Sequence, residues 1–226
     1  MKTITGILML LFLATVLAAQ DQAPKNKLRV GVYANAGASS LVQGMGMSMN
    51  MYNYGYSNAN GNNMMYGYAS AFGGGISLGF PLADRWSING NVGYMSRGAK
   101  YGDTYSTYNS TYRISYIDAW VFGQYNSLPS GTVKFTGTFG LTESTLISAN
   151  SETTSGNSDM MNNMNRVDIG MVLGPGMEFK LNGKGAIQTK LLYNYGFINV
   201  FQGSYYDNGM HSNNAAFLLQ VGYLFN

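Results

Sequence analysis

The chain has no cysteine. That removes disulfides, thiolate metal sites and the cysteine a lipid-anchored export signal would need. Charged residues are only 10% of it, against ~25% in an ordinary globular protein. There is a single histidine, His211, so an imidazole metal cluster is excluded and any His-based catalytic pair rests on one residue. Beyond the first twenty positions no apolar run reaches the ~20 residues of a membrane-spanning helix. Sparse charge elsewhere signals disorder, but 46% apolar and 14% aromatic content argue against that here. If the protein enters a membrane, a closed barrel is the remaining solution, because backbone groups in lipid must be satisfied internally.

The first nineteen residues have the parts of a secretory signal. Lys2 is the positive end, Ile7 to Leu13 the apolar centre, and Ala18-Ala19 the small residues before a cut. Residues 1–19 are therefore expected to be a signal peptide, 20–27 a short periplasmic segment, and 28–226 one barrel domain. Loss of Lys2 lowers the formal charge from +3 to +2, too weak a field to suggest nucleic acid as a partner.

Eight segments alternate apolar and small or polar residues with the period of a strand. They lie near 28–38, 69–80, 86–97, 113–125, 132–143, 166–179, 186–198 and 213–225. In the sixth, Val167, Ile169, Met171 and Leu173 oppose Asp168, Gly170 and Gly174. The fourth is the least regular, since Trp120 and Phe122 share a parity with Asp118. Long polar connections near 39–68, 98–112, 144–165 and 199–212 alternate with short ones at 81–85, 126–131 and 180–185. This predicts an all-β, eight-stranded antiparallel up-and-down transmembrane barrel, with long extracellular loops and short periplasmic turns. The apolar parity is assigned to lipid, because the other parity is Gly, Ser, Thr and Asn, a poor water-facing surface. Small residues suit the lumen of a narrow barrel. Aromatics near the segment ends (Phe80, Trp86, Phe179 and Tyr223; Tyr94, Tyr193 and Tyr195) fit interfacial girdles.

Several stretches resemble the PorT-like outer-membrane β-barrel family of Bacteroidetes. They are Tyr94-Met95-Ser96-Arg97-Gly98-Ala99-Lys100-Tyr101, Tyr116-Ile117-Asp118-Ala119, Asp168-Ile169-Gly170-Met171-Val172-Leu173-Gly174-Pro175-Gly176, Tyr193-Asn194-Tyr195-Gly196-Phe197-Ile198-Asn199 and the terminal Gly222-Tyr223-Leu224-Phe225. The chain departs from the pattern at Trp120, where the family commonly has proline, and at Asn226, which follows the terminal Phe225. The resemblance implies an outer-membrane barrel read by the barrel-assembly machinery. It says little of activity: one member serves a protein-secretion system, and a fold does not by itself convey a function.

By parity Arg29, Arg97, Lys134 and Lys190 face the lumen with Asp118, Asp168 and Glu178, close to charge balance. A bore of this size is filled by side chains and buried charges persist when paired, so these seven are expected to form a structural ion-pair network. A turn centred on Gly183 would set Glu178 opposite Gln188 and diagonal to Lys190. Met45, Met47, Met49 and Met51 alternate in the first long connection, with Met64-Met65 after them and Met160, Met161 and Met164 in a later one. Thioether sulfur is a soft ligand that selects Cu(I), while the bland reading is an adaptable contact surface. His211 stands beside Ser212 in a polar loop with nothing to orient it. The chain is thus expected to be non-enzymatic and without a cofactor, a structural or interaction component of the cell envelope with a closed or nearly closed bore. Its expected partners are outer-membrane lipid and lipopolysaccharide, the assembly machinery, and an envelope protein met through the outer loops. The alternatives are a copper- or ligand-binding barrel using the Met-rich loops, and a small-solute porin.

Overall fold

A computed structural model describes residues 28–43, 56–57, 63–103, 109–127, 132–181, 185–202 and 212–225. Ten strands occur among them: β1 (Arg29–Gln43), β2 (Tyr56–Ser57), β3 (Asn63–Pro81), β4 (Trp86–Asp103), β5 (Asn109–Asn126), β6 (Val133–Thr153), β7 (Gly156–Asp159), β8 (Val167–Leu181), β9 (Gly185–Gly196) and β10 (Ser212–Leu224). Eight form the wall, each antiparallel to its sequence neighbour, and β1 pairs with both β10 and β3 to close it. The short β2 pairs antiparallel with the start of β3, and β7 pairs antiparallel with the end of β6.

The stagger follows from the register. Directly opposed residues run Ser39, Ala216, Asn194, Val172, Gly140, Phe122, Asn89, Gly79 and Arg29, so one circuit returns to β1 ten residues from its start. Eight strands with that stagger tilt by ~42° around a backbone radius of ~8 Å. Large side chains fill such a bore, and small ones must lie opposite them. Gly93 shows this: a Cβ there would stand 2.7 Å from the Tyr33 hydroxyl, so the ring of Tyr33 fits because residue 93 has no side chain. Gly185 opens β9 with φ +110°, a left-handed conformation that glycine tolerates.

The two faces separate as the alternation predicts. Val30, Val32, Ile76, Val92, Phe139, Leu141, Ile169, Leu191, Phe217, Leu219 and Val221 are exposed on the outside. Soluble monomers do not present an apolar band on every strand, and this one matches a hydrocarbon girdle. Aromatics close it below through Trp86–Tyr125 and Tyr223–Phe225 (both 5.1 Å between centroids), and above through Tyr193–Phe217 (4.8 Å). Phe80 and Tyr195, expected in these girdles, are nearly covered by neighbouring side chains.

The strands also outrun their expected ends. β4 continues to Asp103, β5 starts at Asn109 and β6 runs to Thr153, so much of 98–112 and 144–165 is wall rather than loop. Beyond the lipid nothing demands apolar alternation, and the Ser-, Thr- and Tyr-rich stretches keep their preference for extended structure. A bulge marks the transition. Tyr116 opposes Leu146 and Ser115 opposes Ser148, leaving Ile147 unopposed. The extra residue flips the parity of β6, so that Leu146 and Ala149 both turn inward and are buried.

Leu191, 63% exposed near mid-wall, tests the outward assignment. Leu191→Arg should destabilise the barrel by ~2–4 kcal/mol in urea unfolding from lipid vesicles, the cost of a cation at that depth. A loss near zero would mean that this face does not meet lipid.

Candidate functional site

The bore is built in layers, and β5 crosses all of them. From the end carrying the short turns upward, its inward residues are Gln124, Phe122, Trp120, Asp118, Tyr116 and Ile114, all buried. The irregular parity of this strand is therefore real: Trp120 and Phe122 point inward beside Asp118 and do not meet lipid.

In the lowest layer Glu178 of β8 lies between its direct partners Lys134 and Gln188. Arg29 crosses the bore to grip it with two hydrogen bonds of 3.1 Å, and Gln188 donates a third at 2.8 Å. A planar guanidinium matches two carboxylate oxygens in this way. Lys190 places its ammonium 4.5 Å from the centroid of the Phe122 ring, an arrangement favoured by the ring's negative face.

An apolar belt follows, made of Ala71, Met95, Trp120, Phe122, Val172, Leu192, Ala216 and Leu218. Tyr33 stacks on Trp120 with centroids 6.3 Å apart. Sequence reasoning assigned the interior to small and polar residues, which the belt corrects. In a narrow bore the space between facing walls has to be filled, and large apolar groups fill it without partners to satisfy.

Above the belt Arg97 pairs with Asp118 and donates to the Ser144 hydroxyl at 3.4 Å. The Trp120 indole N–H donates to Asp118 at 3.2 Å, and the guanidinium lies 5.4 Å from the Tyr116 ring centroid. Asp168 makes no ion pair among the described residues. It accepts instead from the Asn214 amide at 2.9 Å and the backbone N–H of Ile198 at 3.3 Å. The seven charged residues singled out by parity thus fall into two groups separated by the belt: Arg29, Lys134, Lys190 and Glu178 below, Arg97, Asp118 and Asp168 above. Their overall near-balance hides a cationic excess below and an anionic one above.

A second apolar cluster lies at the outer end. It joins Leu41, Ala99, Ile114, Tyr116, Leu146 and Ala149 from the wall with Met160, Met164, Val200 and Phe201 from the connections. Asn165 ties the two connecting segments together, its side chain donating to the Asn199 carbonyl and its backbone N–H to the Val200 carbonyl. Met160 and Met164 are therefore packing residues, not exposed soft ligands. Sequence reasoning missed this cluster because all of its residues but Ile114 and Tyr116 lay in stretches read as polar loop. The apolar pair Val200-Phe201 inside such a stretch was the available signal. Met45, Met47, Met49, Met51 and His211 lie outside the described residues, as do residues 1–27.

A closed eight-stranded barrel with an apolar exterior and a side-chain-filled bore defines a small outer-membrane barrel protein. The chain belongs to the outer membrane protein beta-barrel domain family, whose model matches residues 18–202, and its place is the outer membrane of a Gram-negative bacterium. No curated protein sequence matches it. Among solved structures it is similar to Neisserial surface protein A (14% identity, 86% of this chain and 96% of that one, TM-score 0.45). It is similar too to OprG from Pseudomonas aeruginosa (12%, 87% and 96%, 0.46) and to the attachment invasion locus protein Ail of Yersinia pestis (11%, 87% and 98%, 0.43).

The Arg97–Asp118 pair is buried on both sides. Arg97→Met should cost ~3–5 kcal/mol by leaving a lone carboxylate, while the double replacement Arg97→Met with Asp118→Leu should recover most of the loss. A double-mutant cycle in detergent-solubilised barrel measures this, and additive losses would exclude the coupling.

Proposed function

We propose that this protein is a non-enzymatic component of the outer membrane whose bore passes no solute and whose outer surface binds another component of the envelope. The observation that carries the reading is the double apolar seal. The belt around Trp120, Leu192 and Leu218 and the cap around Ile114, Met164 and Phe201 both cross the bore. Water and ions need a polar path, and two layers of packed apolar side chains obstruct such a path between the ionic groups. A small-solute porin fits this arrangement poorly.

The interaction half of the proposal rests on the wall that continues above the lipid. β3, β4, β5 and β6 have 18 to 21 residues, against 12 and 13 for β9 and β10, and a membrane crossing needs only ~9–11. The surplus makes a tall rim on one side of the barrel. Arg113 and Glu152 form an exposed ion pair across it at 2.6 Å, and Ile147 stands exposed at the bulge. Strands held rigid in this way give a partner a firm surface at little ordering cost. Lipopolysaccharide surrounds the same rim, and the assembly machinery would meet the chain during insertion. The motif resemblance to PorT-like barrels favours an accessory place in a secretion or envelope complex.

Purified protein in planar bilayers should show no stable channel currents, and reproducible ohmic steps would defeat the sealed-bore reading. A photo-crosslinking residue at Ile147 in living cells should give one discrete protein adduct absent when it is placed at lipid-facing Leu191. Equal labelling at both positions would remove the docking rim.

A further inference from the structure

On the outer face of β4 and β5 the apolar band gives way to cations over a short distance. The outward residues of β4 run upward through Val92, Tyr94, Ser96, Gly98 and Lys100, and those of β5 through Val121, Ala119, Ile117, Ser115 and Arg113. Tyr94 and Ser115 share a hydroxyl–hydroxyl hydrogen bond of 2.9 Å, and the Tyr94 ring lies 6.4 Å from that of Phe72. A tyrosine with its ring in the band and its hydroxyl bonded above marks the water boundary. Arg113 is the next outward residue above Ser115, which puts it at the depth of the lipid headgroups.

Lys100 lies directly opposite Thr111, and Arg113 directly opposite Gly98, so the two cations are diagonal neighbours on one outer surface. Long side chains in that relation reach a common point. One acid stands near: Glu152, opposite Thr111 on β6, accepts from Arg113 Nε at 2.6 Å. A guanidinium held at Nε keeps its terminal amino groups free to meet a phosphate. Lys100 is exposed between Gly67 and Thr111, and it forms no ion pair or hydrogen bond among the described residues. The described residues of β1, β9 and β10 carry no cation at this end of the wall, so the positive charge marks the side of the tall rim.

An apolar strip, a tyrosine at the boundary and two cations sharing one acid succeed one another in the order of a phosphorylated lipid read from chain to headgroup. We infer that this face of β4 and β5 binds the phosphate of an outer-leaflet lipid through the Lys100 ammonium and the terminal amino groups of Arg113, with the lipid chains along Val92, Ile117 and Val121. The inference rests on the binding role proposed above and deepens it by naming lipid phosphate as the ligand on this side of the rim. A free phosphate ion would use the same two cations, but it gains nothing from the exposed apolar strip beneath them.

The test is native mass spectrometry of the refolded full-length protein in zwitterionic detergent, measuring how much of it retains diphosphoryl lipid A. Each cation removed should weaken retention about fivefold, so Lys100→Gln combined with Arg113→Gln should weaken it about 25-fold. Lipid A stripped of its phosphates should bind wild-type protein as weakly as intact lipid binds the double variant. Arg85→Gln, at the short-turn end, should bind as wild type does, and equimolar inorganic phosphate should not displace the lipid. Undiminished retention by the double variant or of the stripped lipid overturns the inference, as does an equal loss in Arg85→Gln. Displacement by equimolar phosphate would reduce the site to one for a free ion and overturn the lipid assignment. Should the double variant fail to refold, the stripped lipid on wild-type protein decides alone. The Ile147 adduct reports protein contact on β6, so it stands or falls separately.

Discussion

Every backbone N–H and C=O inside hydrocarbon must find its partner within the chain, and the rest of this structure depends on that requirement. The ladder running from β1 through β10 and back by way of β3 leaves no free edge in the wall. Once eight strands close with a ten-residue stagger, the radius is set and the interior becomes a narrow volume to be filled. Tyr33 against Gly93 and Lys190 against Gly176 are consequences of that geometry. A large side chain on one wall requires its absence on the wall it approaches.

The same narrowness governs the charges. Seven ionic groups pointing into one bore could form a continuous network, but the belt around Trp120 divides them. Below it the acid is shared among several cations, and above it two acids face one arginine. Asp168, held by Asn214 and a backbone N–H, shows that a buried carboxylate can be satisfied by amides when no cation reaches it. Neutral donors and apolar packing therefore carry as much of the interior as the ion pairs do.

Above the lipid the rules change. The outer faces of β4, β5 and β6 no longer need to be apolar, so alternation fades while the hydrogen-bonded ladder continues. Apolar residues now matter on the inside, where Leu146, Ala149, Met160 and Phe201 pack into one buried cluster. One bulge at Ile147 makes the switch by turning the far end of β6 over.

The amino-acid sequence alone determined the strand number, the alternation of long and short connections, and which parity met lipid. Each of these is a local, periodic property: Ile169 and Leu219 alternate with Gly170 and Gln220 whatever lies across the barrel. The inward direction of Arg29, Arg97, Asp118, Lys134, Asp168, Glu178 and Lys190 was legible for the same reason. Only the tertiary structure decided which of them meet, because partners such as Arg29 and Glu178 are 149 residues apart and come together through the stagger, a quantity no single segment contains. It also decided that Trp120 and Phe122 belong to a belt and that Met164 and Phe201 join the outer cluster, since packing across a bore depends on the curvature of the whole wall.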